Sequence, residues 1–244
     1  MILRMMINYK KKFLNKKKLA FVVGGSGLIG KEVSLALKSS GCKVVNLDIN
    51  FKKNKNDIIN YYFDCTDTKN LEINFLNATK KFNVPSIFVN CSYPKTQDWK
   101  DNSFKKIKFD SYKKNLEIHL NSYVWLAKLV AERMLKKKIE GSIIQLSSIY
   151  GVVAQDKNLY KNTNMQESMT YSVIKGGINN FTKQMASYYG KFKIRVNSVC
   201  PGGIQDKSHA KEFIKNYNEK VPLGRFCKSE DVASAVLFLS CEAS

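Results

Sequence analysis

The chain has 244 residues, 44% of them hydrophobic and 25% charged, which suits one α/β domain with a large buried core. No apolar run approaches the roughly 18 residues needed to span a bilayer as a helix, so no membrane-spanning helix is expected. The formal net charge of +21 is carried mostly by scattered lysines, with arginine only at Arg4, Arg133, Arg195 and Arg225; base-reading forks are lacking, and no nucleic-acid partner is expected.

Residues 1–18, MILRMMINYKKKFLNKKK, stand apart from the rest of the chain. A secretory signal places charge first and an apolar stretch after it, and here that order is reversed. The segment reads as a frayed basic extension ahead of one domain covering residues 19–244. Six cysteines, at positions 42, 65, 91, 200, 227 and 241, form no C-x-x-C pair. The two histidines, His119 and His209, do not cluster with them, so no zinc site is expected. Cysteines within apolar runs behave as small hydrophobes and point to a reducing compartment, here the cytoplasm.

Short apolar runs alternate with helical patterns from residue 19 onward. Strands are predicted over Leu19–Val23, Lys43–Leu47, Asn60–Phe63, Ser86–Asn90, Ser142–Leu146 and Ile194–Val199. Helices are predicted over Ile29–Ser40, Leu71–Lys81, Ser111–Lys138, Ser168–Tyr189 and Ser229–Ser240. This alternation implies βαβ units: a doubly wound, Rossmann-type parallel sheet of about six strands, with helices on both faces.

The first strand runs into Gly24-Gly25-Ser26-Gly27-Leu28-Ile29-Gly30, in which Gly25, Gly27 and Gly30 match G-x-G-x-x-G. Such a turn needs positive φ, close backbone approach to a pyrophosphate, and tight helix-on-strand packing. The helix N-terminus then offers N–H groups to phosphates. Asp48 ends the second strand 18 residues after Gly30, where a carboxylate can hold an adenosine ribose. A carboxylate there accepts from a 2′-hydroxyl and repels a 2′-phosphate, so NAD(H) is favoured over NADP(H). Lys52 and Lys53 nearby pull the other way.

Tyr171 and Lys175 are spaced i, i+4 and share one helix face. A tyrosine hydroxyl is a poor base at neutral pH, and a neighbouring ammonium would lower its pKa. Their company carries the resemblance. Asp64 lies in FDCTD, VNCSYP covers 89–94, SSIYG 147–151, YSVIKGG 171–177 and RVNSVCPGGI 195–204; VPLGR and SEDVASAVLFL lie within 221–239. In this order and spacing the chain resembles the short-chain dehydrogenase/reductase family, from about Leu19 to its end.

The resemblance implies an NAD(P)-dependent oxidoreductase acting on a secondary alcohol or ketone. It implies that Tyr171 is the general acid/base, that Lys175 assists it and binds the nicotinamide ribose, and that Ser148 orients the substrate. It also implies that Asp64 and Cys65 approach the adenine, that Asn90 and Cys91 sit beside the cofactor, and that Pro201, Gly202 and Ile204 flank the nicotinamide. A homodimer or homotetramer is the expected assembly.

Four positions depart from the family pattern: Val23 precedes the glycines, the glycines at 24, 27 and 30 are evenly spaced, Asn90-Cys91-Ser92-Tyr93 replaces N-N-A-G, and His119 aligns with the proton-relay asparagine. As a histidine, His119 would titrate near neutrality and could join the relay behind Lys175. Its bland alternative is a buried histidine bonded to backbone. The glycine spacing resembles nucleotide-sugar epimerases and dehydratases, which retain NAD; a non-catalytic NAD-binding scaffold is the third reading. The chain has no large C-terminal substrate domain, and its VPLGR segment belongs to the short branch.

Ser148 and Tyr171 lie 23 residues apart, a gap commonly shorter in the family. The polar stretch Gln155–Gln166 within it suits a hydroxylated substrate. The Ser-Ile-Tyr-Gly and Asn-Cys-Ser-Tyr-Pro variants look similar to surface-sugar oxidoreductases such as flagellin-modification proteins, so a sugar-like substrate is expected. The family's seventh strand, which pairs with the sixth, has no residues left to form it here. Truncation is expected, with the sixth strand left as an edge; the alternative is a natural short form whose edge the basic N-terminal extension or a partner subunit covers.

Overall fold

The computed structural model describes residues 8–51, 57–206 and 209–244. Its six strands are β1 (Leu19–Val23), β2 (Lys43–Asp48), β3 (Ile59–Tyr62), β4 (Ile87–Asn90), β5 (Gly141–Leu146) and β6 (Ile194–Val199). All pair in parallel, in the order β3-β2-β1-β4-β5-β6. The chain winds outward from β1 to β3, then crosses back to β4 and winds the other way. The reversal opens a crevice beyond the carboxyl ends of β1 and β4, which is where open α/β sheets bind ligands.

Strand alternation sorts the core into two layers. Phe21, Val23, Val45, Leu47, Phe88 and Ile143 face one side. There they meet α3 (Leu71–Phe82), α5 (Ser122–Lys136) and α6 (Met169–Tyr189) through Phe75, Leu126, Met134 and Met185. Ala20, Val22, Val44, Val89 and Ile144 face the other side and pack on Val33 and Leu37 of α2 (Leu28–Ser39) and Val232 and Val236 of α8 (Ser229–Ser240). Most strands are therefore buried on both faces, as the near-continuous apolar runs require.

The predicted long helix is continuous but not uniform. It comprises α4 (Phe109–Asn115), a π turn over Leu116–Asn121, and α5. Helix α7 (Lys211–Lys220) escaped prediction; its few apolar residues pack on a local aromatic cluster rather than on the sheet.

Residues 8–18 are not frayed. A short helix, α1 (Tyr9–Lys12), leads to Asn15, which is fully buried. Its amide nitrogen reaches Ser40 Oγ at 3.3 Å and Ser240 Oγ at 3.2 Å, and its backbone N–H donates to the Ser40 carbonyl. Phe13 meets Phe238 with ring centroids 6.4 Å apart. The segment thus ties α2 to the end of α8. Its lysines misled the sequence reading because Asn15 and Phe13 make the contacts. Among the described residues β6 pairs only with β5, and no strand from residues 8–18 joins it. Arg195 on β6 donates to the Cys241 carbonyl at 3.0 Å and to Ser244 Oγ at 2.7 Å.

Candidate active site

The glycine turn joins β1 to α2. Gly24 has φ +71°, and a Cβ there would lie 2.7 Å from the backbone of Ser92. Gly25 leaves room for the Asn46 side chain, and Gly30 packs on the Gly24 carbonyl. Left-handed backbone is thus needed at Gly24 alone; Gly25 and Gly30 are required by close approach, which corrects the general expectation of positive φ. Gly27 is the N-cap of α2 and provides no side-chain cap, so its first N–H groups remain free for an anion.

Asp48 stands at the mouth of this turn. Its Oδ2 accepts from Ser26 N at 2.9 Å, and its Oδ1 accepts from Ile49 N at 2.7 Å and Asn50 N at 3.2 Å. The carboxylate therefore caps its own turn, holds the glycine loop and still faces the crevice. Lys52 and Lys53 lie outside the described residues. Asp64 accepts from both the N–H and hydroxyl of Thr66. Burial pushes the Cys65 thiol up to about 11 and that of Cys91 to about 12, so both stay protonated at neutral pH.

The Asn90-Cys91-Ser92-Tyr93 variant is held from behind. Asn90 Oδ1 accepts from Ser92 N and Oγ, and Tyr123 donates to the carbonyls of Asn90 and Ser92. Tyr93 then projects toward Tyr171, with ring centroids 6.0 Å apart.

Ser148 follows β5, where its hydroxyl accepts from Tyr150 N at 3.2 Å. Ser168 caps α6 by accepting from Tyr171 N. One turn along, Lys175 is buried, and its Nζ donates to the Leu146 carbonyl at 2.9 Å. A Cβ on Gly151 would lie 2.6 Å from the Lys175 backbone, so this glycine lets the serine turn close on α6. Burial brings Lys175 down to about 7. Burial also raises the Tyr171 hydroxyl, and a hydrogen bond with Ser148 opposes that rise. The anticipated lowering of Tyr171 by Lys175 is not the dominant effect here: the ammonium lies 5.7 Å from the ring centroid and is aimed at Leu146.

His119 sits on the π turn, fully buried, with Nε2 3.4 Å from Lys175 Nζ. Burial, then Lys175, pushes its pKa well below the ordinary value; the Pro94 carbonyl opposes this without completing a hydrogen bond to Nδ1. The imidazole is therefore neutral near pH 7, contrary to the expectation that it titrates there. Asn121, two residues on, is exposed and faces a separate depression beside Trp125.

A cavity of about 870 Å³ connects these parts. Gly24, Ser26, Gly27, Leu28, Ile29, Asp48, Asp64, Cys65, Cys91, Ser148, Tyr171, Pro201, Gly202 and Ile204 all line it. Gly25, Gly30, Asn90, Lys175 and His119 stand behind its wall. Beyond Tyr171 the lining is Tyr93, Pro94, Lys95, Tyr150, His209, Phe213, Tyr217 and Phe226, none assigned a site role from sequence. The stretch Gln155–Gln166 does not line the cavity. Leu159, Tyr160 and Met165 pack instead on Phe213 and Tyr217, and Asn216 donates to the Leu159 and Lys161 carbonyls. The stretch buttresses α7, and α7 presents aromatic side chains to the cavity.

A parallel sheet with a glycine turn, a carboxylate at the end of the second strand and a Ser-Tyr-Lys group at one crevice defines a dinucleotide-dependent oxidoreductase. The comparisons supply the family. The model of the enoyl-(acyl carrier protein) reductase family matches residues 25–244. Post-translational flagellin modification protein A of Campylobacter coli is 31% identical over 94% of this chain and 93% of its own length. A 3-oxoacyl-acyl-carrier-protein reductase of Salmonella typhimurium is 28% identical over 92% and 90%. A short-chain dehydrogenase of Leptospira borgpetersenii, solved with bound NAD+, superposes with a TM-score of 0.85 at 29% identity, covering 98% of this chain and 91% of that one. The chain belongs to the short-chain dehydrogenase/reductase family and is an oxidoreductase that acts on CH–OH groups with a nicotinamide cofactor.

Proposed function

We propose that the chain interconverts a secondary alcohol and a ketone on a sugar or sugar derivative, with NAD(H) preferred over NADP(H). The observation that carries the reading is the placement of Ser148 and Tyr171 on one wall of the cavity, with Lys175 directly behind. The full-length similarity to a flagellin modification protein supports a sugar-like substrate. The Asp48 carboxylate at the nucleotide end supports NAD(H), since it would repel a 2′-phosphate.

When bound, the nicotinamide supplies or accepts the hydride. Tyr171 holds the proton that moves to or from the substrate oxygen, and Ser148 orients that oxygen by hydrogen bonding. Lys175, fixed on the Leu146 carbonyl, stabilises negative charge as it develops on the tyrosine oxygen. His119 accepts from Lys175 and holds its ammonium in place.

A cytoplasmic location and a homodimer or homotetramer complete the proposal. The six unpaired cysteines support the first, and Phe109 and Trp125, exposed on the long helix, support the second. No helix of the described residues is long and apolar enough to cross a membrane.

The test is a screen of sugars, polyols and simple ketones followed by NADH absorbance, with NADPH titrated in parallel. Best turnover on apolar ketones would refute the sugar reading, and tighter NADPH binding would refute the cofactor preference. Retained NAD without net turnover would select an epimerase instead.

A further inference from the structure

Among the described residues, the two ends of the cavity carry opposite charge. The cavity's acidic lining residues among the described ones, Asp48 and Asp64, are both at the nucleotide end. Among the described residues, its one lining lysine or arginine, Lys95, is at the other end, two residues beyond Tyr93. Lys95 Nζ lies over the Tyr93 ring, 5.7 Å from its centroid, and the Tyr93 ring lies 6.0 Å from that of Tyr171. The cation is thus one aromatic ring away from the proton-transferring hydroxyl.

Nothing neutralises it among the described residues, where Lys95 forms no ion pair. The nearest acid along the chain, Asp98, is held by the hydroxyls of Thr96 and Ser111, and the lysine that acts on it is Lys108. Lys95 is itself exposed, at the rim of this concave wall, where its field draws an entering anion and is screened by salt. The aromatic faces of Tyr93 and Tyr150 can cover the apolar side of a ring, and among the described residues Lys95 is the counter-charge for a charged substituent at this end.

We infer that Lys95 is a specificity residue: the substrate of this site carries an anionic group, a phosphate or a carboxylate, a few bonds from its reacting carbon, and Lys95 binds that group. The inference rests on the proposed hydride transfer at Tyr171 and goes beyond the sugar assignment. It requires only the anion.

The experiment compares kcat/KM for matched substrates with NADH or NAD+: a neutral sugar, its phosphate monoester and its uronate, alongside a simple ketone and a 2-oxo or 3-oxo acid. The wild type should favour the charged member of a pair. Lys95→Met should reduce that charged-to-neutral ratio at least tenfold, chiefly through KM, and Lys95→Arg should restore most of it. Lys128→Met, on the exposed face of α5 where Lys128 pairs with Glu132, controls for the overall positive charge and should leave the ratio in place. Phosphate monoesters and uronates distinguish the two kinds of anion. A wild type that prefers neutral substrates overturns the inference, as does a ratio unchanged by Lys95→Met or lowered equally by Lys128→Met. A Lys95-dependent preference for oxo acids, with no sugar turned over, would uphold Lys95 and reject the sugar. Neutral sugars turned over as well as charged ones would do the reverse.

Discussion

At the nucleotide end of the cavity, Gly24, Gly27, Asp48 and Asp64 come from strand ends and turns within residues 24–64. At the substrate end, Tyr93, Tyr150, His209 and Tyr217 come from four separate segments, one of them a helix off the sheet. The first end is specified by local backbone demands: a left-handed glycine, an uncapped helix start and a carboxylate that caps its own turn. The second is specified by which aromatic residues the fold brings together. A family can therefore keep one end and vary the other, since the nucleotide site needs few residues and the substrate site is assembled from many.

Tyr171 stands at the border of the two ends, and its removal should have the largest effect. Tyr171→Phe deletes the hydroxyl while keeping the ring that packs against Tyr93, Trp99 and Tyr150. Turnover should fall by about a thousand-fold, within the range of general acid–base catalysis. NADH binding, read by fluorescence titration, should stay close to wild type. Retention of most activity would remove Tyr171 from its role.

Gly24→Ala should come next, and it breaks the nucleotide end alone. The new Cβ meets the Ser92 backbone at 2.7 Å in a left-handed conformation, a strain of roughly 1–3 kcal/mol. Thermal stability and NADH affinity should both drop. Gly27→Ala sharpens the point: its Cβ meets only the Gly24 carbonyl at 3.2 Å, so the melting temperature should change less. Equal losses would show that the turn is not governed by Gly24.

Asp48→Ala should shift cofactor choice by about tenfold toward NADPH, the size of one lost charge-assisted hydrogen bond together with the lost repulsion. It also leaves Ser26 N and Ile49 N without their acceptor, so a modest loss of stability should accompany it. Unchanged selectivity would mean that Asp48 serves only its own turn.

All six strands were legible, four of them (β1, β2, β4 and β5) because apolar runs buried on both faces leave a plain pattern. Helix α7 was not: Lys211–Lys220 presents few apolar residues, and Phe213 and Tyr217 find their partners at Phe226 and, far back in the sequence, at Leu159. Tyr93 was visible as a departure from N-N-A-G, yet its direction depends on Tyr123 holding the Asn90 and Ser92 carbonyls. The polar Gln155–Gln166 stretch misled for a related reason. Leu159, Tyr160 and Met165 hold it to α7 and the Gln155 amide donates to Ser168 and Ser172 at the start of α6, so its polar groups serve packing and do not line the cavity.

The smallest expected effect concerns the pair behind the wall, His119 and Lys175. The sequence suggested that His119 would titrate near neutrality, but burial holds it neutral, and Lys175 is the group brought to about 7. For carbonyl reduction Lys175 must carry its charge. kcat/KM of the free enzyme should therefore fall as pH rises through about 7, the direction opposite to that of a required neutral base. His119→Asn keeps an acceptor for Lys175 Nζ, so the fall should persist and activity should stay within about fivefold, a loss of under 1 kcal/mol. His119→Leu removes that acceptor and leaves Nζ with the Leu146 carbonyl, so a loss nearer tenfold is expected. Stability gives an independent reading. Between about 7 and the ordinary lysine value of 10.5, the unfolded chain holds a proton that the folded chain has released. Wild-type stability should then rise with pH across that window, and the advantage of Lys175→Met over wild type should shrink toward its upper end. If His119→Asn abolishes the titration near neutrality, the ionisation belongs to His119, and the assignment of the two groups must be exchanged.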